Sequence, residues 1–67
     1  MSATLPTIIK TRNILHRATL HGAGPRITEE QYIQTPDGSI TVVQFWRYES
    51  GTLVRVTQRS LRDGEVI

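Results

Sequence analysis

Between Ser39 and Leu61 the chain carries two runs dense in Val, Thr and aromatic residues, SITVVQFWRYE and TLVRVTQRSL, separated by Ser50-Gly51. Runs of β-branched and aromatic residues on either side of a Gly-containing dipeptide predict two antiparallel strands joined by a tight hairpin. Upstream, ITEEQYIQT (residues 27 to 35) leads into Pro36-Asp37-Gly38. That tripeptide fits a three-residue hairpin loop, with Pro at the first turn position and Gly supplying the left-handed residue. A competing reading takes Thr28 and Gln31 as a capping box opening a helical turn. Tyr32, Ile33 and Thr35 favour the strand. A final turn at Arg62-Asp63-Gly64 returns Glu65, Val66 and Ile67 as a short stub.

The N-terminal third reads differently. Ile8, Ile9, Ile14, Leu15, Ala18 and Leu20 scatter around a helical wheel and form no stripe. The β-branched residues Thr4, Thr7, Ile8, Ile9, Thr11, Ile14 and Thr19 favour extended structure, as two short strands or one long arm. His21 to Arg26, HGAGPR, is the one internal boundary. The expected fold is therefore a single mainly-β domain over residues 1–67: an antiparallel three-stranded meander from residue 27 onward, plus an extended basic segment or strand over residues 1–26.

Pairing can be counted outward from the turns. If Ser50-Gly51 is a two-residue loop, Glu49 faces Thr52 and Trp46 faces Arg55. One face then collects Val43, Phe45 and Arg47 with Val54 and Val56. The other collects Ile40, Val42, Trp46 and Tyr48 with Leu53, Arg55, Arg59 and Leu61. With Thr35 facing Ser39, Ile27 and Ile33 join the first face and Tyr32 the second. The first face is aliphatic plus one Phe, as a core requires. It is expected to be covered by the N-terminal segment, leaving the Trp46 face exposed and in need of a partner. A slip of one residue exchanges the faces.

Size sharpens that need. A 67-residue chain buries only about 60% of its unfolded surface and ordinarily requires a staple. Cysteine is absent, so disulfides and thiolate metal sites are excluded, and oligomerisation remains. Lys10, Arg12 and Arg17 interrupt the apolar residues at the N-terminus, which argues against a signal peptide or a membrane span and predicts a cytoplasmic, soluble protein.

The net charge of +2 is unevenly distributed. Residues 1–26 hold Lys10, Arg12, Arg17 and Arg26 and no acid, whereas the remainder sets four arginines against six acids, a net of −2. A basic arm beside a mildly acidic sheet suggests a phosphate backbone as partner. Trp46, Tyr48 and Tyr32 would stack on bases, Arg55 and Arg59 would contact phosphates, and Lys10, Arg12 and Arg17 would add a salt-sensitive grip. The alternative is a protein interface, most simply a homodimer or an adaptor or inhibitor of a larger protein, since Trp, Tyr and Arg dominate binding hot spots. A purely structural role for Trp46, packed under Arg55, also accounts for the pair.

Chemistry has less support. His16 and His21 are five apart and share no helical face, and no acid lies within the first 26 residues to complete a metal site. Glu29 and Glu30 are adjacent and point to opposite sides of a strand, so they form no paired-carboxylate site. The serines lie outside any nucleophile-elbow context, and Gly22-Ala23-Gly24 is too short for a phosphate loop. The expectation is a non-enzymatic binding protein with neither cofactor nor metal.

Overall fold

The computed structural model describes residues 5–14 and 24–67. Four strands, β1 (Thr7–Asn13), β2 (Arg26–Gln34), β3 (Ile40–Arg47) and β4 (Leu53–Ser60), form one antiparallel sheet in the order β1-β2-β3-β4. Every neighbour in the sheet is a neighbour in sequence, so this is a meander. Among the described residues there is no helix, and none long and apolar enough to cross a membrane.

The capping-box alternative gives way to strand β2, and the Pro36-Asp37-Gly38 loop is as expected. Thr35 N–H donates to Ser39 O at 2.9 Å and Gly38 N–H to Thr35 O at 2.9 Å, with Gly38 at φ 89°. The Asp37 carboxylate closes the loop by accepting from the Ser39 N–H at 3.0 Å, the Ser39 hydroxyl at 2.6 Å and the Thr35 hydroxyl. These bonds hold the Asp37 carboxyl down at about 2, the Ser39 hydroxyl contributing most and the Thr35 hydroxyl next.

The second hairpin corrects the two-residue loop. Tyr48 N–H donates to Thr52 O at 3.0 Å and Gly51 N–H to Tyr48 O at 2.9 Å, so Glu49-Ser50-Gly51 forms a three-residue loop with Gly51 at φ 95°. The longer loop advances the register by one residue, and a bulge restores it: Arg47 lies opposite Leu53, Trp46 opposite Arg55, and Val54 is the extra residue. The pairing of Trp46 with Arg55 thus stands, while Leu53 moves to the Arg47 side. A second bulge, at Thr28, places Ile27 opposite Trp46 and removes it from the Phe45 face. Thr28 fills that bulge with its own bonds, its hydroxyl donating to Phe45 O at 3.4 Å and accepting from Arg47 Nη1 at 3.0 Å.

The described part of the N-terminal segment does not lie over the sheet. Residues 7–13 pair with β2 as a fourth, edge strand, Ile8 opposite Ile33 and Lys10 opposite Tyr32, with Ile9 bulged between them. All seven residues of β1 are exposed. Leu15, Leu20 and most of the HGAGPR boundary fall outside the described residues.

The faces also exchange roles. The most buried side chains are Val42, Tyr32 and Glu30, at 0%, 2% and 6% exposure, and all three belong to the Trp46 side. On the Phe45 side, Val54 and Val56 remain 42% and 49% exposed. The reason is the C-terminal return. Glu65 N–H donates to Arg62 O at 3.1 Å, and the turn brings the Glu65 carboxylate onto Arg59 and Tyr32, covering the Trp46 side from its Ile40 end.

Candidate functional site

The Trp46 side is built from alternate positions of four strands. Lys10 and Arg12 come from β1, Glu30 and Tyr32 from β2, Val42, Gln44 and Trp46 from β3, and Arg55, Thr57 and Arg59 from β4. Alternation along each strand fixes this set, because side chains two apart share a face. At its centre a hydrogen-bonded relay crosses the sheet. The Trp46 indole N–H donates to Thr57 Oγ1 at 2.8 Å, the Thr57 hydroxyl to Gln44 Oε1 at 3.1 Å, and the Gln44 amide to Glu30 Oε2 at 3.1 Å.

Glu30 is the hub. Its carboxylate lies 3.6 Å from Arg59 Nη2 and 3.9 Å from Arg12 Nη1. A buried charge costs several kcal/mol unless partnered, and two guanidinium groups and an amide supply the partners. Arg59 in turn grips Glu65 with both terminal nitrogens, at 2.7 and 2.8 Å, in the fork-to-fork geometry of strong Arg–carboxylate pairs. Glu65 also accepts from the Arg62 N–H at 3.0 Å and from the Tyr32 hydroxyl at 3.5 Å. Its carboxyl is lowered to about 2, chiefly by the Arg59 bond and then by the Arg62 N–H. The same Glu65 bond raises the Arg59 guanidinium further above its already high value. The Arg59 Nε is buried without a hydrogen-bond partner among the described residues.

The residues singled out from sequence therefore separate into two groups. Tyr32 and Arg59 are locked into this network, and Tyr32, at 2% exposure, offers no free ring face. The second group keeps contact with solvent, although Arg12 and Trp46 also bond into the network. Arg55 lies over the Trp46 ring at 5.2 Å from its centroid, Tyr48 is 43% exposed at the head of the hairpin, and Lys10 and Arg12 lie on the exposed edge strand. Arg17, with His16 and His21, falls outside the described residues. Among the described residues no group of three His, Asp or Glu is placed to hold a metal ion.

Sequence reasoning missed Glu30, Gln44, Thr57 and Glu65. The register alone contained the clue for the first three. Glu30 faces both Arg12 and Gln44 across its two neighbouring strands, and Gln44 faces Thr57. Glu65 carries no such clue, because its position depends on the closing turn.

The charge balance of the two faces differs. The Trp46 side carries Lys10, Arg12, Arg55 and Arg59 against Glu30 and Glu65. The Phe45 side carries Arg26 and Arg47 against Glu29; Arg47 and Glu29 pair with each other at 3.5 Å, and the Arg47 guanidinium lies 5.7 Å from the Phe45 ring centroid. No protein-family model, curated protein or solved structure matches this chain.

Proposed function

We propose that the chain is a small non-enzymatic binding protein whose Trp46 side engages nucleic acid. The observation that carries this reading is the surplus of cations on one sheet face around a stacked Arg55–Trp46 pair. Lys10, Arg12 and Arg55 supply phosphate contacts, Trp46 backs the Arg55 guanidinium, Tyr48 offers an exposed aromatic ring, and Arg17 extends the basic arm. Arg55 need not leave Trp46 to act: a guanidinium stacked on an indole keeps its in-plane N–H groups directed outward, toward a phosphate. Glu30, Arg59, Glu65 and Tyr32 form the rigid floor beneath these groups. Such a protein acts directly on a strand or regulates a process that uses one.

Fluorescence anisotropy with labelled single-stranded and duplex oligonucleotides tests the proposal. Three phosphate contacts predict that affinity falls about 20-fold for a single strand, and about 40-fold for a duplex, between 50 and 200 mM salt. Arg12→Gln and Lys10→Gln should each reduce the salt slope by about one phosphate's worth. Absence of binding at low salt, or binding indifferent to salt, removes this reading and leaves the protein-interaction alternative. That alternative is favoured by a separate observation, the open apolar surface on the opposite side.

A further inference from the structure

The described chain is a sheet without a second layer. Domains are ordinarily built from two packed layers, because a sheet with an apolar face must bury it. Here the smallest principal extent is 15 Å, and the radius of gyration is 14.5 Å where a compact chain of this length has about 11 Å. The accessible surface is 5275 Å², whereas a compact monomer of 7.6 kDa exposes about 4300 Å². The excess, about 1000 Å², is of the size that each partner contributes to a standard protein interface, about 800 Å².

Among the described residues, one uncovered apolar surface lies on the Phe45 side. Ile8, Ile33, Val43, Phe45 and Val56, one or two from each strand, alternate onto the same side. None of them is buried, and Ile8 and Val56 are 54% and 49% exposed. The polar residues among them, Gln31, Thr41 and Gln58, are neutral. At one margin Arg47 pairs with Glu29, and Arg26 lies opposite Arg47.

We infer that this Val43/Phe45/Val56 face packs against the same face of a second copy of the chain, forming a two-layer sandwich. Charge chooses between the two faces. Apposing two Trp46 sides would bring eight cations against four acids, whereas apposing two Phe45 sides brings apolar centres together with only four cations, Arg26 and Arg47 of each copy, against two acids at the margin. The area chooses the occupant: one copy contributes the layer that the sheet lacks, and two-fold symmetry requires only that the patch fit itself. Sheets packed in this way lie about 10 Å apart with strands inclined by about 30°. Phe45, the largest apolar side chain of the patch, becomes the anchor. The arrangement leaves both Trp46 sides outward and does not depend on what they bind.

Sedimentation equilibrium of the full chain across a dilution series, with the filtered nuclear Overhauser spectrum of a mixture of labelled and unlabelled copies, is the test. The expected result is a species of twice the chain mass with contacts between copies at Phe45. Val56→Lys should raise the dissociation constant at least tenfold, and Thr7→Lys, on the other face, should not change it. If Val56→Lys fails to fold, Val56→Thr, which keeps the shape and the β preference, should retain the sheet and still weaken association. A folded monomer at all concentrations overturns the inference, including one in which residues 15–23 cover Phe45 themselves. A dimer whose dissociation constant ignores both Val56 variants, or shows no contacts between copies at Phe45, overturns it equally.

Discussion

At the scale of single residues, the buried side chains divide between packing and charge. Val42, fully buried between Tyr32 on one neighbouring strand and Arg59 on the other, contributes by packing. Removing its two methyl groups forfeits their transfer energy and leaves a cavity, so Val42→Ala should cost about 2 kcal/mol, measured as a fall in the urea midpoint at unchanged slope. Glu65 contributes by charge. Its folded value of about 2 lies below the unfolded value, so the ionised form is favoured in the native state. That contribution is complete above the unfolded pKa of about 4.3 and is lost as pH falls toward the folded value. Asp37, also held at about 2, adds to the same window. Stability should therefore be level from pH 7 to about 5 and decline from about 5 to 2. Glu65→Gln should be less stable at neutral pH and show a shallower acid decline. A Gln variant with the wild-type acid profile would mean that the Arg59–Glu65 pair does not couple to folding.

At the scale of elements, the two hairpins show what sequence could and could not specify. Pro36-Asp37-Gly38 was legible because Pro36 and Gly38 each have one geometric use, and the structure uses both as expected, while the Asp37 carboxylate adds bonds the sequence reading did not assign. Glu49-Ser50-Gly51 was half legible. Gly51 marks the turn, but a two-residue and a three-residue loop both accept it, and the difference is absorbed by the bulge at Val54, which no local composition announces. The cost of losing Gly51 should be purely conformational. At φ 95° with open space where a Cβ would stand, Gly51→Ala meets no clash, and a left-handed backbone should cost about 1 to 2 kcal/mol. The Asn variant should recover part of that loss, and equal stability of both variants to the parent in thermal melts would show the loop relaxing into another turn type. The faces were legible as sets apart from Ile27 and Leu53, which the two bulges moved across, since alternation and register placed Trp46, Tyr32 and Arg55 together. Which face was core was not legible. Apolar content favoured Phe45 and Val56, whereas long amphipathic side chains on the other side bury one another by satisfying their polar ends, and the Glu65 return completes them.

At the scale of the whole molecule, the meander grades protection from the middle outward. Among the described residues, β2 and β3 are hydrogen-bonded on both sides, whereas β1 and β4 each have one open edge. Open edges invite further strand pairing unless they are blunted. β1 carries Lys10 and Arg12 and a bulge at Ile9; β4 carries Arg55, Arg59 and the bulge at Val54. These devices work against growth of the sheet in its own plane, which agrees with the stacking through the Phe45 side inferred above. Hydrogen exchange separates the two modes. Face-to-face packing makes no new main-chain bonds, so the slowest amides should be those of β2 and β3 around Tyr32 and Val42, and the outward-directed amides of β1 and β4 should exchange fast even in the associated state. Edge-to-edge pairing would instead protect alternate amides of β1 or β4 as strongly as those of β3, in step with concentration. A profile graded from the centre, unchanged in shape while association slows exchange of the whole sheet together, is the expected outcome for two layers that fold as one unit.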